Sequence, residues 1–485
     1  RRYWHPLSHV PGPFVWSISH LPIWHQYVVK GGRLLHALPK LHDRYGPVVR
    51  ISPNEVHLSD TTLYDTIYSV GTRFLKDPSF YTPMEGPVAT PILLTVLSPD
   101  EHRWRRKMIT PFFSRQSVLA VEAMVWDKAN KFCDVMQSEL DDASKTRPFD
   151  AYKALRAVAI DVITEYAYAR CWHMLDRPAD GYGIWYPEAI RSVQTMFPWL
   201  QTLPFLTPLF GALPDGAKIA LFPPYKRWND SLQAVRLAVD QVGAELARGS
   251  HPPRRTIIHH LMEPQEKGLR LDDAAVFADA VNVTGAGTET TGATQERAMY
   301  EVLRHPDVHA SLVKELREAF PNPADMRWTL LEQLPVLNGV IKEALRLNPG
   351  VPGRLPRVVP PGGATFNGVY LPGGTIVSMS AWDMHNDPSV FPSPSAFDPY
   401  RWIQGTTTTA QQIRQREKYL VAFSRGSRGC VGQNLAMCEL YCTIAAIFRR
   451  FDDLSLRVSS DFGPEDMEMT ELVLGYHPNK RRFRV

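Results

Sequence analysis

The chain has 485 residues, and its 54 Lys and Arg against 50 Asp and Glu give a formal net charge of +4. Hydrophobic residues make up 44% and charged residues 21%, which excludes disordered, collagen-like and disulfide-dense chains. A charge of +4 over this length does not indicate a nucleic-acid partner. The cysteines lack the spacing of a zinc site or a disulfide framework, so reduced thiols are expected at positions 133, 171, 430, 438 and 442.

The first 22 residues predict a linker beside a membrane. They contain two leading arginines, Trp4, Trp16 and the stiff sequence Pro11-Gly12-Pro13, a combination typical of the segment after a membrane anchor. An ordinary frayed terminus explains the same residues equally well. No apolar stretch approaches the ~18 residues that a membrane span needs. We expect a juxtamembrane linker over residues 1–22, with the anchor missing from this sequence, and a single domain over residues 23–485.

The pattern of apolar residues predicts a mainly α protein with small β-sheets. Leucines recur at helical spacing over residues 32–45, and β-rich runs at 48–51 and 56–58 predict a hairpin. Helical patterns dominate from about residue 100 to 450, interrupted by a proline-rich connector over residues 204–224. A second β-rich region spans residues 357–377 and contains Pro-Gly turns. Strands and helices do not alternate regularly, so we expect one helical unit with small sheets.

A basic run, HRWRRK over residues 102–107, stands shortly before Pro111-Phe112-Phe113. By composition alone, such a run predicts the solvated face of a helix.

The run AGTETT over residues 286–291 lies inside a helical pattern that extends over residues 272–304. Small and β-branched polar residues are poor helix formers, so their concentration indicates a use other than helix stability. Neighbouring hydroxyls and a carboxylate can deliver protons through water, which the reductive activation of O2 requires. The alternatives are a helix start and a kink where Thr side chains bond to the preceding turn.

Glu343 and Arg346 are three residues apart in an apolar helical pattern over residues 336–347, so they share one helix face. In isolation such a pair is a common exposed ion pair, worth well under ~1 kcal/mol.

The densest signal is FSRGSRGCVG over residues 423–432, a glycine-rich loop that places Cys430 just before an apolar helical run. A thiolate there is stabilised by the helix dipole and by free backbone N–H groups. The glycines allow a flat cofactor to approach the backbone, and a single thiolate ligand on haem iron favours O–O bond cleavage. The alternatives are a buried inert cysteine and a phosphate loop, but the Gly-Lys-Ser/Thr ending of a phosphate loop is absent.

Together these runs resemble the cytochrome P450 monooxygenases. Residues 423–432 match every fixed position of that family's haem-binding signature, Phe-x-x-Gly-x-Arg-x-Cys-x-Gly. Residues 286–291 resemble its oxygen-activation motif, and Glu343-x-x-Arg346 resembles its Glu-x-x-Arg motif. The start, HPLSHVPGP over residues 5–13, resembles fungal microsomal members of secondary metabolism. The resemblance implies the cytochrome P450 fold, with a long central helix over haem b.

The resemblance also implies a role for each matching residue. Cys430 would be the axial thiolate on the haem iron, Thr290 would supply a hydrogen bond in the oxygen site, and Glu289 would link that site to solvent protons. Glu343 and Arg346 would form a buried structural triad with Arg401, which lies in the segment FDPYRW. The other implied cofactor contacts are Phe423 near the sulfur, Gly426 and Ala286 against the haem, and His102, Arg106, Arg357 and Arg428 on the propionates.

The implied reaction is the oxidation of an apolar small molecule, such as a terpenoid or polyketide, by O2. Electrons would come from NADPH-cytochrome P450 reductase at the cytosolic face of the endoplasmic reticulum membrane. An acidic reductase surface would bind basic residues, for which the candidates are Arg103, Arg105, Arg414, Arg416, Lys418 and Arg425. By family position, the substrate contacts would be residues 80–94, 199–209, 351–355 and 472–474, together with Val283 and Ala286.

Other functions stay open from the sequence. They are oxidative coupling or ring formation, isomerisation, dehydration or peroxide chemistry at a thiolate-bound haem, and non-catalytic binding of haem or lipid. The intact pair Glu289-Thr290 argues against an enzyme that bypasses O2 activation.

Overall fold

The computed structural model describes residues 4–85, 88, 90–142, 148–178, 180–250, 252–263, 271–405, 408–477 and 481–485. Helices account for most of them, and the strands form small sheets, which confirms the predicted fold class. The helices of the first half are α1 (Phe14–Ile18), α2 (Leu21–Trp24), α3 (Leu34–Tyr45), α4 (Tyr64–Tyr68), α5 (Pro78–Tyr81), α6 (Pro99–Ile109), α7 (Arg115–Leu119), α8 (Glu122–Asp141), α9 (Ala151–Tyr168), α10 (Trp185–Gln194), α11 (Phe197–Thr202), α12 (Leu206–Ala212) and α13 (Asp215–Leu221).

The second half contains the longest helix of the described residues and the helix that follows the cysteine loop. Its helices are α14 (Tyr225–Ala247), α15 (Ile257–Met262), α16 (Asp273–Arg304), α17 (Pro306–Ala319), α18 (Trp328–Leu331), α19 (Pro335–Leu347), α20 (Ala381–His385), α21 (Ala410–Tyr419) and α22 (Gln433–Arg450). The expected connector over residues 204–224 is wrong in part, because α12 and α13 lie within it. Prolines are tolerated at the first turn of a helix, and Pro214 and Pro224 directly precede α13 and α14.

The strands form one five-stranded sheet and two separate hairpins. They are β1 (Val48–Arg50), β2 (Glu55–Leu58), β3 (Leu75–Lys76), β4 (Arg357–Val358), β5 (Ala364–Phe366), β6 (Val369–Leu371), β7 (Ile376–Ser378), β8 (Thr470–Glu471) and β9 (Gly475–Tyr476). The order in the large sheet is β1-β2-β7-β4-β3. The antiparallel pairing of β1 with β2 confirms the predicted hairpin, and β4 to β7 confirm the second β-rich region.

Helix α16 is central to the hydrophobic core and packs against α9, α19 and α22. It begins after Asp272, whose side chain accepts a hydrogen bond from the Ala275 backbone N–H at 2.7 Å, so the predicted bounds are confirmed. The helix continues through the AGTETT run without a break. Within that run, the Thr288 and Thr290 hydroxyls donate to carbonyls one turn back, at 2.7 and 2.8 Å.

The N-terminal segment packs onto the large sheet. Leu7 and Val10 are buried in the same apolar cluster as Val48 and Val56. The Arg50 guanidinium donates to the Leu7 carbonyl at 3.2 Å, which ties this segment to β1. Residues 1–3 of the predicted linker lie outside the described residues, and the division at residue 22 stays a prediction. In the described part of the chain, no helix combines the length and hydropathy required to span a bilayer.

Candidate active site

The cysteine loop folds tightly between α21 and α22. Gly426 has a φ of +69°, and a Cβ at this position would stand 2.2 Å from the Tyr68 carbonyl oxygen, so only glycine fits. The Cys430 backbone N–H donates to the Phe423 carbonyl at 2.8 Å, which closes the loop and brings these two residues together. Helix α22 then begins directly after Gly432.

The Cys430 side chain is accessible, although protein atoms surround it closely enough for burial to raise the pKa of its thiol. The Gly432 backbone N–H and the Arg106 guanidinium act on that pKa in the opposite direction. We infer that the sulfur faces an internal cavity, since an accessible thiol on the outer surface would not carry this burial cost.

A second accessible position lies in the middle of α16. Ala286 is exposed and Thr290 is half-buried, whereas their neighbours Thr288 and Glu289 are buried. Gly350 lies against this face, since a Cβ there would stand 2.8 Å from the Thr290 Cγ2. The accessible stripe of this central helix therefore presents a small side chain and one hydroxyl to an internal space.

Four strong bases and one histidine form a cluster around the cysteine loop and β4. In the part of the chain that the structure describes, none of the four bases makes an ion pair, and each donates to backbone carbonyls or to a phenol instead. The Arg106 guanidinium donates to the Gly429 carbonyl at 2.6 Å, and the Arg428 guanidinium to the Val96 carbonyl at 2.6 Å. The members of this cationic cluster are Lys76, His102, Arg106, Arg357 and Arg428.

Two of these bases meet across the edge of the large sheet. Lys76 on β3 stands opposite Arg357 on β4, and its ammonium donates to the Leu94 carbonyl. The Tyr81 hydroxyl accepts a hydrogen bond from the Arg357 guanidinium at 2.9 Å, and the same ring lies 4.5 Å from the Lys76 ammonium. Both side chains are almost fully buried.

The pKa values of most side chains in the cationic cluster are lowered, in keeping with the absence of a carboxylate partner among the described residues. Burial, followed by Arg428, Lys76 and Arg106, lowers the pKa of His102 to about 3. Burial and Arg357 lower the pKa of Arg428 to about 10, and burial with Arg428 and Arg357 lowers that of Lys76 well below its ordinary value. Buried charges are normally paired, so this arrangement fits an anionic group with more than one carboxylate.

These observations fit haem. The accessible Cys430 thiol can hold iron, and the cationic cluster can bind two propionates. His102, Arg106 and Arg428 also line one cleft, whose volume is about 490 Å³. Sequence reasoning missed Lys76 and Tyr81, because neither belongs to a motif and only the pairing of β3 with β4 brings them to Arg357.

Glu289 lies behind the accessible face of α16, in contact with Arg156 of α9. The Arg156 Nε donates to both carboxylate oxygens of Glu289, at 3.1 and 3.0 Å, and its Nη2 donates to Glu289 Oε1 at 2.8 Å. The Arg156 Nη1 donates to Glu296 Oε2 at 3.0 Å. The resemblance gives Glu289 a link to solvent protons, and the structure adds a buried guanidinium that motif matching did not predict.

Glu343, Arg346 and Arg401 lie together in the core. Arg346 donates to both Glu343 oxygens, at 2.7 and 2.9 Å, and the Arg401 Nε donates to Glu343 Oε1 at 3.0 Å. The Trp402 indole N–H donates to Glu343 Oε2 at 2.9 Å, a fourth member that sequence reasoning missed although it follows Arg401 directly. Both guanidiniums also bond to backbone carbonyls, which include those of Pro394 and Pro392.

Two of the basic residues expected to bind a reductase are not at the surface. Arg105 is buried and forms an ion pair with Asp279 of α16, at 2.6 and 3.2 Å. Arg416 is also buried, and its guanidinium donates to the Val390 carbonyl at 3.4 Å. The prediction is wrong for these two residues, because composition does not distinguish a buried arginine with core partners from an exposed one.

The expected substrate segments lie in different surroundings. Val283 is buried on α16, one turn before Ala286. Phe205 and Leu209, which flank the start of α12, are 66% and 60% exposed and do not face the interior. Residues 86, 87 and 89, within the segment 80–94, lie outside the described residues.

Comparison with known proteins agrees with this geometry. The Cytochrome P450 family model matches residues 10–483. Cytochrome P450 monooxygenase macH of Penicillium terrestre is 33% identical, over 96% of this chain and 90% of its own length. Cytochrome P450 monooxygenase BOT1 of Botryotinia fuckeliana is 32% identical, over 92% and 85%, and aflU of Aspergillus parasiticus is 32% identical, over 93% and 88%.

The family match covers nearly the whole chain, and these relatives are monooxygenases by name. Proteins of this family bind haem b through a cysteine thiolate. The chain therefore belongs to the cytochrome P450 family and is a haem-dependent monooxygenase that uses O2.

Proposed function

We propose that Cys430 is the thiolate ligand of haem b and that the cationic cluster binds its propionates. The observation that carries this proposal is the group of basic side chains beside the Cys430 loop, of which Lys76, His102 and Arg357 are buried and Arg106 and Arg428 half-buried; within the described residues they have no carboxylate partner. When bound, haem supplies the iron at which O2 is reduced. Phe423 and Gly426 shape the loop around the sulfur, and Ala286 leaves room on the opposite side.

Thr290 and Glu289 are the proposed proton-delivery residues. The Thr290 hydroxyl donates to the Ala286 carbonyl at 2.8 Å, so its oxygen can still accept a hydrogen bond from water or from a protonated carboxyl group. Glu289 directly precedes Thr290 and carries a buried carboxyl group, so it can carry a proton toward that hydroxyl. The triad of Glu343, Arg346 and Arg401 has a structural role, since all of its donors and acceptors are satisfied inside the core.

The proposed substrate is an apolar fungal secondary metabolite of the terpenoid or polyketide class. Around Ala286, the accessible face of α16 offers the Ala286 methyl group, the Thr290 hydroxyl and the half-buried Asn282, with Val283 one turn before, and these four side chains are uncharged. Such a face suits a ligand held mainly by apolar contact. The fungal origin of the relatives supports the same class.

The proposed electron donor is NADPH-cytochrome P450 reductase. Arg103 and Lys107 are exposed on α6 and line the cleft beside His102 and Arg106. Arg414 and Lys418 are exposed on α21. These cations support docking of an acidic flavin domain near the Cys430 loop.

The proposed location is the cytosolic face of the endoplasmic reticulum membrane. Large apolar side chains are exposed near the N-terminus and on α11 to α13, and the Trp24 and Trp199 rings, 4.9 Å apart, join these two regions. A surface with this many exposed apolar side chains fits a lipid interface. Its members are Phe14, Val15, Leu21, Val29, Phe205, Leu209 and Leu221.

The test of the haem assignment is the spectrum of the dithionite-reduced protein with carbon monoxide, for the wild type and Cys430→Ala. We expect a strongly red-shifted Soret band that is lost in the variant. Cys438→Ala is the matched control, because Cys438 is a buried cysteine on α22 and should leave the band in place. A band that persists in Cys430→Ala would refute the assignment.

A further inference from the structure

We propose that Arg156 and Glu296 are positioning residues for Glu289, with Glu296 retaining Arg156 whenever Glu289 leaves it. This inference rests on the proposed role of Glu289 in proton delivery. Arg156 would then act as a clamp with two carboxylate partners, of which one can be released.

The clamp is built from one guanidinium between two carboxylates of the same helix. The Arg156 Nε and Nη2 bind Glu289, at 2.8 to 3.1 Å, and its Nη1 binds Glu296 at 3.0 Å and the Tyr152 carbonyl at 3.0 Å. The Tyr152 ring lies 3.7 Å from the guanidinium carbon. Both carboxylates and the guanidinium are buried, so water does not screen their interaction.

The spacing along α16 explains how one arginine reaches both acids. Glu289 and Glu296 are seven residues apart, or two helical turns, and therefore lie on one face. Gly292 lies between them, and a Cβ there would stand 2.8 Å from Arg156 Cγ and 3.1 Å from Arg156 Cα. The missing side chain thus lets α9 approach closely enough for Arg156 to lie between the two acids.

The charges in the clamp do not balance, because two carboxylates share one guanidinium. Burial raises the pKa of Glu296 against the opposing effect of Arg156, with Glu289 and Asp150 adding to the increase. If a buried arginine lost its only carboxylate partner, the folded protein would be strongly destabilised. With Glu296 in place, Arg156 keeps one carboxylate partner after Glu289 has turned away, so the release of Glu289 costs less.

The proposed cycle involves only a proton and a side-chain rotation. The Glu289 carboxylate takes a proton from a hydronium ion that reaches it through solvent water, which leaves a neutral water molecule, and the neutral acid forms weaker hydrogen bonds with Arg156. The acid turns toward Thr290 and gives the proton to a water beside that hydroxyl, or to the hydroxyl itself, which passes its own proton on to that water. The carboxylate that is left returns to Arg156. No electrons move in these steps, and each proton taken from water is delivered once.

The first experiment measures the unfolding equilibrium of Glu289→Gln, Glu296→Gln and the double variant. Each single substitution leaves Arg156 one carboxylate, whereas the double substitution leaves none. We expect the double variant to raise the unfolding constant at least about tenfold more than the product of the single effects. Glu301→Gln is the matched control, because Glu301 is buried on the same helix but pairs with Arg297, so it should combine additively with Glu289→Gln. Additive effects in the test pair would refute the clamp.

The second experiment separates positioning from a structural role. Reductase-supported NADPH oxidation without added substrate is measured in H2O and D2O for the wild type, Glu296→Gln and Glu296→Asp. We expect Glu296→Gln to slow oxidation several-fold and to enlarge the solvent isotope effect, because Glu289 is then held by an arginine with no second carboxylate partner. Glu296→Asp retains a carboxylate and should recover part of the rate, and it remains measurable if the glutamine variant folds poorly. An isotope effect in Glu296→Gln equal to that of the wild type would overturn the proposal. A different result bears on the proposed function itself. If the red-shifted Soret band of the carbon monoxide complex persisted in Cys430→Ala, the proposed function would be refuted.

Discussion

The cationic cluster and the core around Glu343 both contain arginines within the protein, but they differ in whether those arginines have a carboxylate partner. In the core, the Glu343 carboxylate accepts from Arg346, Arg401, Trp402 and the Asp398 backbone N–H, at 2.7 to 3.1 Å. In the cluster, the cations donate mainly to backbone carbonyls of neighbouring segments, as Arg106 does to Gly429 and Arg428 to Val96, and have no carboxylate partner among the described residues. The first arrangement is complete within the chain, and the second fits a chain that needs an added anion.

The comparison shows that burial alone does not separate structural charges from cofactor-binding ones. The informative feature is whether the charge has a partner. A guanidinium with bidentate carboxylate and carbonyl partners holds neighbouring segments together. Cations whose pKa is lowered by burial and by neighbouring cations, as for Lys76 beside Arg428 and for Arg428 beside Arg357, are costly until an anion binds.

A third arrangement has more carboxylates than cations. Where the start of strand β2 meets strand β8, Glu55 and Glu471 are both buried near Arg354, whose Nη1 donates to both Glu55 oxygens at 2.7 Å. Glu471 accepts a hydrogen bond from the Tyr27 hydroxyl at 3.0 Å, and burial raises its pKa to about 7. An unpaired carboxylate in the core can be neutralised by binding a proton. The unpaired cations of the cluster are instead neutralised when an external anion binds.

The largest effect on stability is expected when Glu343 is removed from its arginine partners in the core. Among the described residues, Glu343 is the only carboxylate that pairs with Arg346, so Glu343→Gln leaves two guanidiniums in the core with one carboxylate fewer. We expect the free energy of unfolding to fall by about 3–5 kcal/mol, measured by urea denaturation of the holoprotein. If the loss were below about 1 kcal/mol, the triad would have to be reclassified as an ordinary ion pair.

The excess-carboxylate arrangement predicts a pH dependence. The folded pKa of Glu471 is about 7 and lies above the ordinary value of 4.5, so protonated Glu471 is favoured by folding. Its contribution to stability is complete below about pH 4.5 and is lost as the pH rises through about 7, by roughly 3 kcal/mol at most. Glu471→Gln should remove this slope from urea denaturation curves recorded between those pH values.

The exposed Glu318 provides the control for this measurement, because Glu318→Gln should leave the slope unchanged. A wild-type slope that survives in Glu471→Gln would assign the titration to another group, such as Asp383, whose pKa burial raises to about 6.

The cationic cluster lacks a carboxylate partner among the described residues. It predicts that removing one cation weakens haem binding but does not destabilise the haem-free protein. Lys76→Met should lower haem affinity about tenfold or more, because a charge-assisted hydrogen bond to a propionate is lost. The same change should leave the haem-free protein at least as stable as the wild type, since Arg357 and Arg428 lose a neighbouring like charge.

Haem transfer to apomyoglobin measures the affinity, and denaturation of the extracted protein measures the stability. Lys107→Met is the control, because Lys107 is an exposed cation of the cleft lined by His102, Arg106 and Arg428. A fall in the stability of haem-free Lys76→Met would show that Lys76 is a structural residue.

Sequence patterns predicted the elements that local chemistry determines. The bounds of α16 follow from apolar spacing and the Asp272 cap, and the glycine-rich loop with Cys430 follows from its own residues. Arg156 and Lys76 could not be found this way. Each reaches its site through packing between distant segments, α9 against α16 and β3 against β4, and neither α9 nor β3, which carry these two residues, contains a motif. For the same reason Arg105 was placed at the surface, since its partner Asp279 is 174 residues away.

The smallest effect on stability is expected at an ion pair of Lys342, the residue directly before Glu343 in the sequence. Lys342 directly precedes Glu343 but pairs with Glu417 at 2.6 Å, on a surface where the Glu417 side chain is 45% exposed. Glu417→Gln should change the free energy of unfolding by less than about 1 kcal/mol, and this small change should vanish at high salt because solvent screens the pair. Urea denaturation at low and high ionic strength checks both points. A loss comparable to that of Glu343→Gln would contradict the comparison, because the exposed pair would then stabilise the fold as much as the buried one.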